Sequence, residues 1–384
     1  MASSKLHKWL DKVLSGVNGH GIPKETKQQR RWRLLQVESS IACNLTCIMC
    51  PWREGAHRHS RQGHLSPDVW KAISPYLKEI QSIDFTGGGE PLLQPLLVPW
   101  VREACEAGCE TGILTNATLL TGEKSEELIE AGIDWICVSM DGATAEIYEK
   151  IRPGAQFKTV CDHVAELTDR RRGPTPKVMI NFVMMPNNLH QLEAMVTLAD
   201  RLGVDQINFK QCDVIRGDRG KGLGLFGTQI TKDIRKHEKM LRRARRLAKN
   251  KRIETTAFSW VPEELPVCAQ DPRNSMFIRH DGSVGPCVNL ALGGPTTFLG
   301  KDANMPFVHY GRLPEDDLFD LWETSICRFY RERFEQRMTA YETGFRRSDM
   351  EPSPTKIRAA LENAQKAMPP APDGCRVCHY LYNI

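Results

Sequence analysis

From Arg33 to Cys212 the chain alternates short apolar runs with longer amphipathic stretches. The runs are Leu34–Glu38, Ser82–Phe85, Thr111–Thr115, Trp135–Ser139, Val178–Met184 and Gln206–Phe209. The clearest intervening stretch follows Asn188, where Leu189, Leu192, Met195, Leu198, Ala199 and Leu202 recur at helical spacing. Strands alternating with helices in this way pair in parallel through right-handed crossovers. Six strands are too few to close an eight-stranded barrel. The expected fold class is therefore α/β, a partial (β/α)6 TIM-type barrel with its working site at the C-terminal ends of the strands.

A chain of 384 residues has room for a second, smaller unit. Residues 33–212 hold the expected barrel. Residues 1–32 read as an amphipathic helix and linker, with Leu6, Trp9, Leu10, Val13, Leu14 and Val17 on one face. Residues 213–262 read as a linker, in which a glycine-rich loop from Gly217 to Gly227 precedes a basic helix from Lys232 to Arg252. Residues 263–384 read as a small α+β domain. It has a hairpin turn at Asp281-Gly282, a helix over Leu318–Arg337, and a proline-rich stretch from Pro352 to Pro372.

The net charge of +5 is too small to argue for a nucleic-acid partner, and none is expected. No run approaches the ~18 apolar residues of a membrane span. The opening MASSKLHKWLDKVL lacks the apolar stretch and cleavage site of a secretory signal. A cytoplasmic location is the expectation. Thirteen cysteines in that compartment point to metal or redox chemistry rather than disulfides.

Just past the first strand the sequence reads CNLTCIMCPW, which places Cys43, Cys47 and Cys50 in CxxxCxxC spacing. Three thiolates in so short a loop can ligate three irons of a 4Fe-4S cluster and leave the fourth iron open. Structural zinc is the competing reading, with His57, His59 and His64 downstream. The CxxxC half and the strand before it fit a cluster better.

This loop resembles the signature of the radical S-adenosylmethionine superfamily, and further segments agree in order. Phe85-Thr86-Gly87-Gly88-Gly89-Glu90-Pro91 looks like the family's GGEP motif. Thr115-Asn116-Ala117-Thr118-Leu119-Leu120 is similar to its TNGTLL, with Ala117 in place of the usual glycine. Val138-Ser139-Met140-Asp141-Gly142 resembles its fourth-strand segment, and Arg152 in KIRPG resembles an arginine that pairs with the cofactor carboxylate. The resemblance covers roughly residues 33 to 212. It implies that the open iron binds S-adenosylmethionine, whose reductive cleavage gives a 5′-deoxyadenosyl radical that abstracts a substrate hydrogen. It also implies cofactor contacts from Met49, Gly87, Gly88, Gly89, Glu90, Asn116, Ser139 and Arg152. The glycines would let the backbone approach the methionyl amino group. Asp141 has an equally good reading as a turn residue, and Asn181 and Gln211 are further candidates.

A second cysteine set lies near the end. Cys268, Gly282 and Cys287 stand in CX13GX4C spacing, and Cys375 and Cys378 form a CxxC. Four cysteines suffice for one cluster or for structural zinc. The spacing resembles the SPASM and twitch subgroup, as do Gly311-Arg312-Leu313, Leu318, Leu321-Trp322, Arg328 and Arg331. The given sequence has no cysteine after Cys378, so the twitch version, with one auxiliary 4Fe-4S cluster, is expected. Cys327 is a possible substitute ligand but reads better as a packed thiol, as do Cys105, Cys109, Cys137, Cys161 and Cys212.

The expected function is oxidation of a small molecule, with the second electron passing to the auxiliary cluster and flavodoxin or ferredoxin as the reducing partner. The alternatives are a radical peptide maturase and an iron–sulfur electron carrier without radical chemistry.

Overall fold

The computed structural model describes residues 30–53, 63–212, 215–216, 220–226, 233–346 and 354–384. The amphipathic N-terminal segment, His57, His59 and much of the glycine-rich loop lie outside them. All six expected strands form: β1 (Trp32–Val37), β2 (Ile80–Asp84), β3 (Glu110–Thr115), β4 (Trp135–Ser139), β5 (Lys177–Met184) and β6 (Gln206–Gln211). Each pairs in parallel with the next.

The alternation runs one unit further than expected. The basic helix, Ile234–Asn250, leads into β7 (Glu254–Ala257), which pairs in parallel with β6. Its sequence, ETTA, has no apolar run to announce it; only the two β-branched threonines hint at a strand.

The hairpin at Asp281-Gly282 also forms, from β8 (Ser275–Ile278) and β9 (Ser283–Gly285). Gly282 has φ +85°, and a Cβ there would lie 2.1 Å from the Leu313 carbonyl oxygen, so only glycine fits this turn. β8 also pairs in parallel with β1, setting Leu34–Val37 opposite Ser275–Ile278. The second unit thereby takes the edge of the barrel sheet that closure would have used. A separate hairpin follows, β10 (Gly294–Phe298) with β11 (Lys301–Met305), and then β12 (Gly311–Arg312) adds to β9. Among the described residues one ten-stranded sheet results, in the order β12-β9-β8-β1-β2-β3-β4-β5-β6-β7.

One face of the parallel strands carries Leu35, Ile83, Ile113, Ile136, Ile180 and Ile207, buried in the main core with helix residues such as Val101, Val164 and Leu198. The alternate positions line the lumen, where Trp135, Cys137 and Met179 pack with Leu114. Trp32 is fully buried between the units, 5.1 Å from the Phe319 ring and 6.0 Å from Trp322.

The long C-terminal helix expected over Leu318–Arg337 is two helices, Leu318–Glu323 and Ser325–Arg346, because Thr324 is extended at ψ 148°. The proline-rich stretch contains a third, Pro354–Ala367, with prolines at its start and beyond its end, where helices tolerate them.

Arg337 on Ser325–Arg346 is almost fully buried and ties two distant segments together. It donates to the carbonyls of Leu265 (2.9 Å), Pro266 (3.1 Å) and Pro369 (2.5 Å), and pairs with Glu264 at 2.7 Å. Arg337→Met leaves these carbonyls without a donor. Each unmet buried acceptor costs about 1–3 kcal/mol, so denaturant unfolding of the apoprotein should report a loss on the order of 3 kcal/mol.

Candidate active site

The β1 ladder delivers the chain into the loop carrying Cys43, Cys47 and Cys50, at the C-terminal end of the strands. Backbone bonds fix that loop: Thr46 N to Pro153 O (3.2 Å), Ile48 N to Ile151 O (3.0 Å) and Cys50 N to Cys47 O (3.3 Å). All three thiols are half-buried, which leaves one side open. Burial pushes the Cys47 thiol up to about 11, with Cys50 and Cys43 adding to the rise and Arg152 opposing it. Arg152 Nη1 lies 3.6 Å from Cys47 Sγ, and Asn116 Nδ2 lies 3.9 Å from Cys43 Sγ.

The glycine run after β2 lies flat on this loop. A Cβ would fall 2.3 Å from Glu38 Cγ at Gly87, 2.4 Å from the Trp52 ring at Gly88, and 2.4 Å from the Ala42 carbonyl oxygen at Gly89. Contact with the thiol loop therefore already requires these glycines. Glu38, which the sequence reading did not single out, is fully buried. It accepts from Gly88 N at 2.7 Å and bonds His280 Nδ1 of the β8–β9 turn at 2.6 Å.

Glu90 clamps the next loop, accepting from Thr115 Oγ1 (2.6 Å), Asn116 N (2.8 Å) and Leu92 N (3.2 Å). Burial raises its pKa to about 7 despite these donors. Ala117 sits at φ +57°, so the family's glycine position keeps its left-handed backbone here at a cost of roughly 1–2 kcal/mol.

Asp141 is fully buried and is more than a turn residue. Its Oδ2 accepts from Arg152 Nε at 2.7 Å and lies 2.6 Å from Nη2, while Oδ1 accepts from Val183 N at 2.7 Å. The pair presents the remaining Arg152 nitrogen to Cys47. Met49 packs in an apolar cluster with Ile151, Met185, Cys212 and Ile215.

Ser139 stands opposite Asn181 on the lumen face, and Asn181 opposite Asn208. The same lumen holds Asp84, whose pKa burial raises to about 6 while Thr86 and Lys210 oppose the rise. Among the described residues, Asn181 Oδ1, Gln36 Oε1 and Asp84 Oδ1 are buried acceptors without a hydrogen-bond partner, as is Gln211 Oε1 on the other face of β6. Asp84 and Lys210 were not legible as site residues, because a carboxylate ending a strand and a lysine within one carry no motif.

The second cysteine set converges. Cys375 is raised well above its ordinary pKa, by burial first and then by Cys268, Cys287 and Cys378. Cys268, Cys287 and Cys375 are buried and Cys378 is partly so. Asn289 Nδ2 lies 3.6 Å from Cys378 Sγ. Cys327 is fully buried, and burial pushes its thiol up to about 12. The two groups thus contrast as an open three-thiol site and a closed four-thiol one.

Comparisons with known proteins agree with this geometry. Residues 37–199 match the model of the Radical SAM superfamily. The matched stretch takes in the thiol loop, the glycine run and strands β2 to β5. Residues 268–343 match the model of SPASM, an iron–sulfur cluster-binding domain. The chain is 24% identical over 318 residues to a Pyrococcus furiosus protein named as a cofactor-modifying protein of tungsten-containing aldehyde ferredoxin oxidoreductase, covering 78% of this chain and 83% of that one. It is 29% identical over 206 residues to a PqqA peptide cyclase of Bradyrhizobium diazoefficiens, covering 52% of this chain and 50% of the relative. The fold is similar to that of Streptococcus suis SuiB bound to S-adenosylmethionine, with TM-score 0.57 and 14% identity over 78% of this chain and 68% of that one. No helix among the described residues is long and apolar enough to cross a membrane.

Breaking a buried ion pair from one side costs about 3–5 kcal/mol, since the other charge is stranded. Arg152→Met should lower apoprotein stability by that order, and adding Asp141→Asn should restore part of the loss. Urea unfolding of the single and double variants reads the coupling.

Proposed function

We propose that this chain oxidises a small polar molecule by two electrons, using Cys43, Cys47 and Cys50 for a site-open 4Fe-4S cluster and Cys268, Cys287, Cys375 and Cys378 for one auxiliary cluster. The observation that carries this reading is the closed four-thiol site, built on the same sheet as the open three-thiol loop. When bound, the clusters and S-adenosylmethionine supply the hydrogen-abstracting radical and an acceptor for the second electron.

The chain's own residues supply the rest. Arg152 brings positive charge to the open thiol loop and stays charged through its bond to Asp141. Glu90 and Asn116 fix the third-strand loop against that loop. The three unmet lumen acceptors, on Gln36, Asp84 and Asn181, support a compact substrate rich in hydrogen-bond donors. Among the described residues no group of three or more His, Cys, Asp or Glu side chains is set to hold a single metal ion. Flavodoxin or ferredoxin is the reductant that suits a 4Fe-4S cluster. The likeness to a PqqA peptide cyclase favours a second reading, in which the substrate is a peptide and oxidation forms a cross-link.

Anaerobic reconstitution should load about eight irons per chain and give 5′-deoxyadenosine on reduction with S-adenosylmethionine. A chain that binds the iron yet forms none sinks the radical reading. Cys47→Ala should abolish this cleavage, while Cys375→Ala should keep it with about four irons. Small-molecule and peptide fractions, each searched for products lighter by two hydrogens, separate the two substrate readings. Products formed undiminished by Cys375→Ala would remove the auxiliary site from the reaction.

A further inference from the structure

Arg216 stands just beyond β6, on a short segment that crosses from the barrel to the four-thiol domain. Its neighbour Ile215 bridges Thr297 of β10, with Thr297 N donating to Ile215 O at 3.0 Å. Arg216 is 7% exposed. Its Nη1 donates to the carbonyl of Gly293, which ends the short helix Val288–Leu292 that Cys287 opens. Its Nε and Nη2 are buried with no hydrogen-bond partner among the described residues.

A buried guanidinium ordinarily faces a carboxylate, as Arg152 faces Asp141 and Arg337 faces Glu264. Arg216 has no such partner among the described residues. The groups whose charge it feels are Cys378 and Cys287. Burial draws its pKa down to about 10, so it remains a cation near neutral pH. With four neutral thiols this arrangement strands a positive charge and two N–H donors in a dry site. Beside an anionic thiolate-ligated cluster, the same charge is matched.

We infer that Arg216 is the counter-charge of the auxiliary cluster and raises that cluster's reduction potential, so that it can take an electron from the substrate-derived radical. The inference rests on the cluster reading given above. Oxidation of the radical sends its proton to solvent or a base and adds one electron, hence one negative charge, to the cluster. A fixed cation in a water-excluded site favours the more negative state, and net charge and hydrogen bonds to sulfur are levers that set such potentials. Arg216 touches neither substrate nor S-adenosylmethionine on this account; it acts through the cluster.

The test uses the full chain carrying Cys43→Ala, Cys47→Ala and Cys50→Ala, so that only the auxiliary site is loaded. Iron, sulfide and zinc are counted, and the midpoint potential is read by EPR-monitored titration. Arg216→Gln should keep the cluster and shift its potential to more negative values, and Arg216→Lys should restore most of that shift. Loss of the cluster in Arg216→Gln but not in Arg216→Lys would also support the counter-charge role. An unchanged potential in a fully loaded Arg216→Gln variant overturns the inference and leaves the cluster reading standing. Loss of the cluster in both variants overturns it in favour of a purely structural role. Zinc in the parent site, without iron, overturns the cluster reading itself and this inference with it.

Discussion

The parallel pairing of β8 with β1 is the contact on which the rest of the architecture hangs. β1 runs directly into the loop bearing Cys43, Cys47 and Cys50, while Cys268 precedes β8 and Cys287 follows β9. One backbone ladder therefore fixes the separation of the two thiol groups. Glu38 adds a side-chain bond across the same seam, reaching both the glycine loop and His280. The spacing between the sites is thus a property of the sheet rather than of a flexible linker.

Charge is handled differently at the two ends of this frame. At the open site the arginine is paired within the protein, because Asp141 holds Arg152. The closed site has Arg216, whose nearby anionic candidates are thiols. Desolvation makes a lone buried charge costly and a matched one cheap. The first arginine is therefore matched by a carboxylate, whereas Arg216 has none among the described residues.

Much of this was legible in the sequence, because strands and short-range motifs leave local marks. The six barrel strands stand close to where the apolar runs put them, and CxxxCxxC together with CX13GX4C located both thiol groups. What escaped depends on long-range packing. β7 has two threonines and no apolar run, and it becomes a strand because β6 offers an unpaired edge. Thr324 splits a helix whose apolar periodicity runs on unbroken. The glycine run was read as yielding to a ligand, yet its tightest contacts are with Glu38, Trp52 and Ala42 of the protein itself. Glu38, Asp84, Lys210 and Arg216 belong to no pattern, since each acquires its role from neighbours distant in the chain.

The two cysteine groups also differ in how much chain each one needs. Cys43, Cys47 and Cys50 share one loop, so their site exists once the first barrel strands have paired. The other group joins Cys268 and Cys287 to Cys375 and Cys378, with the helices Ser325–Arg346 and Pro354–Ala367 between them. A chain emerging in order from its N-terminus can complete the barrel while this second site still lacks half its sulfur. Assembly then has a built-in order, in which the three-thiol loop forms before the four-thiol group is complete. Completing the closed site means bringing Cys375 and Cys378 back to Cys268 and Cys287, and Arg337 ties together the segments that precede each pair.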